Sequence, residues 1–237
     1  MALQSHSRPG GRQSVPVRPG MRRRAAHVGV AAILTTFGLA TVAVPVTQAA
    51  PATVTAANRA RVADPIADRA GQALLLLKRF EATGDPLALQ GFESARDEIA
   101  AAVAQRLGLQ PADMQAAWAR ADHPHQTAVI AALGQLGVAY RRNTSRPGVS
   151  FDCSGLTSYA WAQAGLQLTR QSSAQIRNAA PRDPQTAQAG DLVQYPGHVM
   201  IWLGVERAVV HAVMPGRPVE VLLINERRSL RWGDPTG

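Results

Sequence analysis

The chain has 237 residues and a net charge of +9, from 25 basic and 16 acidic residues, but this charge is unevenly distributed. Six arginines and no acidic residue fall in residues 1–49. Without this segment the chain keeps 19 basic and 16 acidic residues, a net charge of +3. Such a balance argues against a protein that binds nucleic acid or an anionic surface through charge alone.

Residues 1–49 have the pattern of a secretory signal peptide. A basic segment is followed by an apolar run over residues 28–44 and by small residues up to Ala50. Met21, directly before three arginines, is an alternative start. An uncleaved anchor helix is the competing interpretation, but the run is short for a membrane span and contains threonines. We therefore expect a secreted or cell-envelope protein with no stable membrane span after leader cleavage.

The next segments are predicted to be a linker over residues 50–58 and a helical region of unknown role over residues 59–122. Apolar residues recur at three- and four-residue spacing from Phe92 to Leu107, which is typical of one helix face. The short sequence from His123 to His125 has two histidines around a proline, which is more typical of a turn than of a metal site. No metal and no cofactor are predicted.

Residues 123–237 are predicted to form the catalytic domain. A short helix is expected over residues 127–136, and a second over residues 153–164, with Asp152 as its cap and Gly165 at its end. The pattern then changes to β-branched segments separated by Gly or Pro, which predict strands at 191–195, 198–203, 208–213 and 219–224. Helices followed by strands indicate an α+β domain with a mostly antiparallel sheet.

Cys153 is the only cysteine of the chain, so it cannot form an intrachain disulfide. In an exported protein such a thiol is either a buried small side chain or a nucleophile. The start of a helix presents unpaired N–H groups and a partial positive charge, which favour a thiolate. The carboxylate of Asp152 opposes this effect, and a nearby imidazolium would have to outweigh it.

Two histidines on the predicted strands can be placed by register. If residues 204–207 close a hairpin without a bulge, His211 lies opposite Met200. Side chains alternate along a strand, so His198 shares a face with Met200 and therefore with His211. The two histidines become diagonal neighbours about 7–8 Å apart at the backbone. This is the arrangement required of a general base and the residue that orients it.

Several ordered motifs within residues 126–225 resemble the NlpC/P60 family of cell-wall cysteine peptidases. They are Phe151-Asp152-Cys153-Ser154-Gly155-Leu156, Leu168-Thr169-Arg170-Gln171-Ser172-Ser173-Ala174-Gln175, Gly190-Asp191-Leu192-Val193, Gly197-His198-Val199-Met200-Ile201-Trp202-Leu203-Gly204 and Val209-Val210-His211-Ala212. Together, in this order, they are far more specific than any one alone.

The resemblance implies a papain-like α+β fold in which the helix that begins with Cys153 packs on the sheet. It implies Cys153 as nucleophile, His198 as base and His211 as the residue that orients His198. Members of the family typically cut the stem peptide of peptidoglycan, often between D-glutamate and a diamino acid. Peptidoglycan stem peptides are therefore the expected partner, and the resemblance identifies no particular protein partner.

The resemblance also implies a substrate-binding set, which consists of Tyr140, Asp152, Ser154 and Arg170. One departure bears on substrate preference, because residues 141–144 replace the aromatic residue and paired glycines that usually follow the tyrosine.

Three alternatives stay open from the sequence. The first is an amidase or acyltransferase on the same scaffold, since a thioester can pass its acyl group to acceptors other than water. The second is a non-catalytic peptidoglycan-binding module. The third is regulation of the catalytic domain by the helices of residues 59–122, either by covering the cleft or by recruiting a partner.

Overall fold

The computed structural model describes residues 62–237. The predicted signal peptide, its alternative start at Met21 and the linker of residues 50–58 lie outside the described residues. The helices are α1 (Pro65–Thr83), α2 (Pro86–Leu107), α3 (Pro111–Arg120), α4 (His123–Leu133), α5 (Cys153–Gln163) and α6 (Ser172–Asn178). The strands are β1 (Ala139–Tyr140), β2 (Ser145–Arg146), β3 (Ser150–Phe151), β4 (Ala180–Arg182), β5 (Leu192–Tyr195), β6 (His198–Trp202), β7 (Ala208–His211), β8 (Glu220–Leu223) and β9 (Arg231–Asp234).

The first three helices lie within residues 59–122, the segment that the sequence predicts to be helical. Asp64 and Asp85 cap α1 and α2 by accepting hydrogen bonds from the backbone N–H two residues later. Both helices carry proline in the first turn, where no N–H is needed. They end at Gly84 and Gly108, whose left-handed backbone (φ 68° and 71°) closes the helix. No helix within residues 62–237 has the length and apolar character that a membrane crossing requires.

Helix α4 begins at His123, four residues before the predicted start, so the interpretation of residues 123–125 as a turn is wrong. Asp122 is the cap, and its carboxylate accepts the backbone N–H of His125 at 3.0 Å. Proline is tolerated in a first helical turn, and the sequence here therefore begins a helix where we expected a break.

The main sheet is six-stranded and antiparallel, in the order β4-β9-β5-β6-β7-β8. Strands β5 to β8 are the four that the sequence predicts, and β4 and β9 extend the sheet beyond β5. A second, three-stranded sheet of two-residue strands, β1-β3-β2, leads into α5. The structure is thus α+β with a mostly antiparallel sheet, as predicted.

One hydrophobic core runs from the first helices into the sheet. It includes Ala73 and Leu77 of α1, Leu156 of α5 and Ile201 of β6, all fully buried. Trp118 of α3 is also buried, and its Nε1 donates to the backbone oxygen of Leu203, just beyond β6, at 2.8 Å. Helix α3, which precedes the predicted catalytic domain, therefore packs against the end of the strand that carries His198.

Candidate active site

Cys153 is the first residue of α5 and is partly exposed. Asp152 caps the helix, with its Oδ1 accepting the Gly155 N–H at 2.7 Å. The loop before the helix is held close, because the backbone N–H of Asp152 donates to the Thr144 oxygen at 3.0 Å. The sequence prediction for this helix is confirmed, and the thiol sits at the end where backbone N–H groups face outward.

Asp152 does not act as a free anion beside the thiol. Its Oδ2 lies 2.6 Å from Nη2 of Arg170, and Nη1 of the same arginine donates to Ser154 Oγ at 2.8 Å. Arg170 thus compensates the charge of the Asp152 carboxylate. From the sequence alone, we expected an imidazolium to provide this compensation. Three of the four predicted substrate-binding residues form one network, in which Asp152 and Ser154 are buried and Arg170 is 44% exposed.

Strands β6 and β7, which carry the two histidines, pair in the register expected from the length of the loop over residues 204–207. Ile201 faces Val210 and Trp202 faces Val209 in the β6–β7 ladder. On that register His198 and His211 share one face, and His198 Nε2 lies 2.9 Å from His211 Nδ1. Both side chains are buried.

Both imidazoles are neutral at neutral pH in this environment. Burial lowers the pKa of His198 to about 3, with smaller contributions from His211 and Arg228. Burial also lowers the pKa of His211 to about 4, with a contribution from Arg217. A neutral His198 can accept a proton from a thiol, which a resting imidazolium cannot do.

Two tyrosines lie near the thiol, and one of them, Tyr195, also lies beside His198. The pKa values of Tyr140 and Tyr195 are raised, first by burial and then by the proximity of Cys153. The ring of Tyr195 lies 5.1 Å from that of His198, and the Arg228 guanidinium lies 4.5 Å above the Tyr195 ring. Tyr140 was predicted from the sequence, whereas Tyr195 and Arg228 were not.

Glu220 faces the histidine pair from the next strand. It lies directly opposite His211 in the β7–β8 ladder, and its Oε1 is 3.5 Å from His211 Nε2. The same oxygen is 2.6 Å from Nη2 of Arg217. Sequence reasoning missed Glu220, although pairing the two predicted strands in register would have placed it across from His211.

His125 is the centre of a buried polar cluster away from these residues. Its Nδ1 lies 2.7 Å from Asp122, and its Nε2 lies 3.0 Å from Asp191 and 3.4 Å from Asp234. Burial alone would lower the pKa of His125, but the hydrogen bonds with Asp191 and Asp122 outweigh it and raise the pKa. Gly190 allows this approach, because a Cβ there would meet the His125 Cβ at 2.8 Å.

Within residues 62–237 this cluster is the one group that could hold a metal ion. The ligand atoms of His125, Asp191 and Asp234 lie within 4.8 Å of one another. Both ring nitrogens of His125 are already at hydrogen-bond distance from carboxylates, so we describe the cluster as a buried ion-pair network. It ties the start of α4 to β5 and β9.

The structure is an α+β domain with a cysteine at the start of a helix and a buried, hydrogen-bonded histidine pair on the sheet. Residues 137–231 match the sequence model of the NlpC/P60 family. For this part of the chain the match confirms the resemblance that its motifs indicate.

Curated relatives of this chain are named as endopeptidases. A "Probable endopeptidase" of Corynebacterium glutamicum is 39% identical over 97 residues, which is 40% of this chain and 46% of the relative. One from Mycobacterium tuberculosis is 37% identical over 101 residues, 41% of this chain and 26% of the relative. "Probable endopeptidase p60" of Listeria seeligeri is 42% identical over 81 residues, 32% of this chain and 15% of the relative. The chain thus spans less than half the length of these relatives.

Solved structures of NlpC/P60 domains also match. The P60 domain of an antigen from M. avium subspecies paratuberculosis is 24% identical with a TM-score of 0.42, covering 48% of this chain and 96% of that chain. RipD from Mycobacterium tuberculosis, described as a non-catalytic NlpC/p60 domain protein adapted to peptidoglycan binding, is 27% identical with a TM-score of 0.40, covering 48% of this chain and 98% of that one.

Proposed function

We propose that this protein is an exported cysteine peptidase that hydrolyses peptide bonds in the stem peptides of bacterial peptidoglycan. The observation that carries the proposal is the hydrogen bond of 2.9 Å between His198 and His211, next to Tyr195, whose pKa is raised in part by Cys153. The match of residues 137–231 to the NlpC/P60 family and the endopeptidase names of the curated relatives support it.

The proposed catalytic residues are Cys153, His198 and His211. Neutral His198 takes the thiol proton as the sulfur attacks the carbonyl carbon, and His211 holds the His198 ring in place. The imidazolium formed in this step then protonates the leaving amine, and water activated by His198 cleaves the thioester. The backbone N–H of Cys153 at the start of α5 contributes to the oxyanion site.

The proposed substrate-binding residues are Tyr140, Asp152, Ser154 and Arg170, and they divide into two roles. The oxygens of Asp152 and Ser154 are engaged by Arg170, so these two residues shape the cleft. The exposed part of the Arg170 guanidinium and the half-buried Tyr140 are available to a ligand. A guanidinium recognises carboxylates, and a stem peptide carries them. The bond between D-glutamate and the diamino acid is the proposed point of cleavage.

We further propose that the protein reaches the cell envelope through a signal peptide in residues 1–49. This segment has the basic, apolar and small-residue order of a secretory leader. Pulse labelling of the full chain in a bacterial host would show a shorter, exported form. Retention of the full-length form in the cytoplasm would contradict the proposal.

The activity is tested by digestion of purified peptidoglycan and soluble muropeptides, with fragment masses as the readout. We expect cleavage by the wild type and none by Cys153→Ala, with masses that correspond to the addition of water across one stem-peptide bond. Products joined to an amine acceptor would instead indicate an acyltransferase, and release of a whole stem peptide would indicate an amidase. Binding to peptidoglycan without cleavage would indicate a binding module and overturn the proposal.

A further inference from the structure

The direction of the hydrogen bonds in the histidine pair decides whether His198 can act as a base. His198 meets His211 through Nε2, so Nδ1 is the nitrogen left to accept the proton of Cys153. A neutral imidazole carries one proton, and Nδ1 is free only when Nε2 holds it. His198 Nε2–H must then donate to His211 Nδ1, and His211 must carry its own proton on Nε2.

The opposite set of tautomers would disable the site. If His211 carried its proton on Nδ1, it would donate to His198 Nε2, and His198 would present Nδ1–H to the thiol. Burial keeps both rings neutral, so the pair itself does not choose between the two arrangements. A third group that accepts a proton from His211 Nε2 is needed to select the active one.

Glu220 is the acceptor placed for this task. His211 Nε2 is buried and makes no hydrogen bond with any residue among 62–237, and Glu220 Oε1 is 3.5 Å away. The two residues are a directly opposed cross-strand pair, so the ladder holds them on one face. Arg217 Nη2 lies 2.6 Å from the same oxygen, and an ionised carboxylate can only accept hydrogen bonds.

Backbone hydrogen bonds also join the segment that carries Arg217 and Glu220 to β1 and the residue before it. The backbone N–H of Tyr140 donates to the Arg217 oxygen at 3.2 Å. The N–H of Val219 donates to the Val138 oxygen at 2.7 Å, which fixes the start of β8 beside β1. Backbone hydrogen bonds at Arg217 and at Val219 therefore help to position the Glu220 carboxylate, in addition to its side-chain contact with Arg217.

We propose that Glu220 is a positioning residue that selects the His211 tautomer and thereby leaves His198 Nδ1 free to act as base. This rests on the catalytic roles given above for Cys153 and His198. The observed contacts then run from His198 through His211 to Glu220 and Arg217, and the proposed proton transfer joins Cys153 to His198. Glu220 touches neither substrate nor thiol and acts only through His211.

The test compares three variants of the full chain. Glu220→Leu removes the acceptor at similar volume, Glu220→Gln keeps a weaker amide acceptor, and Glu226→Leu is the matched control, an exposed acid six residues on. For each variant the readouts are the alkylation rate of Cys153 by iodoacetamide, the 15N shifts of the imidazoles, and kcat and KM on muropeptides. Thermal unfolding confirms that each variant is folded.

We expect Glu220→Leu to lower the alkylation rate and kcat by roughly tenfold or more with little change in KM, because it affects base catalysis and not binding. The His211 15N shifts should move away from the Nε2–H form. Glu220→Gln should lie between Glu220→Leu and wild type, and Glu226→Leu should match wild type. If Glu220→Leu does not fold, the tautomer shift in Glu220→Gln decides.

Unchanged His211 shifts and an alkylation rate within twofold of wild type in folded Glu220→Leu would overturn the proposal. These two readouts need no peptidoglycan. If the wild type cleaved no muropeptide while Glu220→Leu still slowed alkylation and shifted the tautomer, the proposed substrate would fail and the role of Glu220 would stand.

Discussion

At the scale of single residues, the site combines charge compensation with burial. Asp152 caps the helix of the nucleophile, and Arg170 neutralises its charge at 2.6 Å. His198 and His211 are kept neutral by burial, which lowers their pKa values to about 3 and about 4. The site therefore avoids both an uncompensated anion beside the thiol and a resting imidazolium that could not act as a base.

Removal of Arg170 should make Cys153 less reactive. Arg170→Gln leaves the Asp152 carboxylate without its partner, and a free anion disfavours the developing thiolate. Because Arg170 is 44% exposed, solvent screens the effect. We expect alkylation of Cys153 by iodoacetamide to slow by about twofold to fivefold, which corresponds to about 0.5–1 kcal/mol. Arg177→Gln, an exposed arginine on α6, is the control, and equal rates in the two variants would contradict the role of Arg170.

His125 should stabilise the fold in a pH-dependent way. Its pKa in the folded state is raised above 6.5, so the contribution is fully present below pH 6.5 and is lost as the pH rises through the raised value. We expect His125→Gln to lower the free energy of unfolding by roughly 3 kcal/mol below pH 6.5, and by less at alkaline pH.

Urea titrations of His125→Gln and wild type at a series of pH values measure this difference. His123→Gln, at the surface of the same helical turn, is the control and should leave the pH dependence of stability unchanged. A difference between wild type and His125→Gln that grows with rising pH would show that His125 is buried as the neutral form.

His198 and His211 should affect the pH dependence of stability in the opposite direction from His125. Both pKa values lie below 6.5 in the folded state, so the unfolded chain takes up protons first as the pH falls. The two histidines therefore cost stability progressively from pH 6.5 down towards pH 3 to 4. This acid sensitivity is the consequence of keeping His198 neutral and available as a base.

At the scale of elements, the start of α5 depends on a close backbone contact at Gly155. A Cβ at this position would meet the Thr144 oxygen at 2.0 Å. Ser145 Oγ also donates to the Gly155 oxygen at 2.8 Å, and this hydrogen bond holds the loop before the helix against α5. The glycine of the cysteine motif is thus required by packing, and it sets the position of Cys153 two residues earlier.

Gly155→Ala should destabilise the protein by about 1–3 kcal/mol and lower activity, because the loop must shift away from α5. Gly71→Ala is the matched control within α1, where a Cβ would meet nothing within 4 Å. The control should raise stability by about 0.5–1 kcal/mol, as expected for alanine in place of a helical glycine. Thermal unfolding measures both, and equal effects of the two substitutions would contradict the packing role of Gly155.

The elements that the sequence predicts are those with a strong local signal. Helix α5 has a cap, and β5 to β8 have β-branched residues bounded by Gly or Pro. Strands β4 and β9 were missed because β4 contains Pro181 and β9 contains Gly233, residues that weaken a strand pattern. The two-residue strands β1 to β3 exist only through long-range pairing, which no local pattern reveals.

The residues of the candidate site likewise divide into those with a local sequence signal and those brought together by long-range contacts. Cys153 and the two histidines could be predicted because a helix cap and a hairpin register are local features. The Asp152–Arg170 pair joins residues 18 apart, and the contact between His211 and Glu220 requires the register of a second strand pair. Contacts of this kind depend on how the elements assemble, and the sequence analysis therefore did not identify them.

At the scale of the whole molecule, the first helices and the sheet share one core. Trp118 is 1% exposed and bonds to the backbone at the end of β6. Lys78 of α1 donates to Gln163 at the end of α5 at 2.6 Å. The boundary at residue 123 stays a prediction for function, but packing indicates that the folding unit includes the helices before it.

A fragment of residues 123–237 should therefore not fold as a stable unit, whereas residues 62–237 should. Removing α1 to α3 exposes the buried faces of α4 and β6, and loss of a buried tryptophan alone costs about 3–5 kcal/mol. We expect cooperative thermal unfolding for residues 62–237, and a fragment without a cooperative transition that binds ANS for residues 123–237. A cooperative transition at the same temperature in both would contradict the shared core.

The proposed mechanism requires that the acyl group of the substrate is transferred to Cys153. The most direct measurement is the intact mass of the protein, quenched in acid during turnover of a soluble muropeptide, followed by peptide mapping. We expect an acyl adduct on Cys153 in the wild type, release of the amine fragment, and neither adduct nor cleavage with Cys153→Ala. Cleavage that persists in Cys153→Ala, or an adduct on another residue, would contradict it.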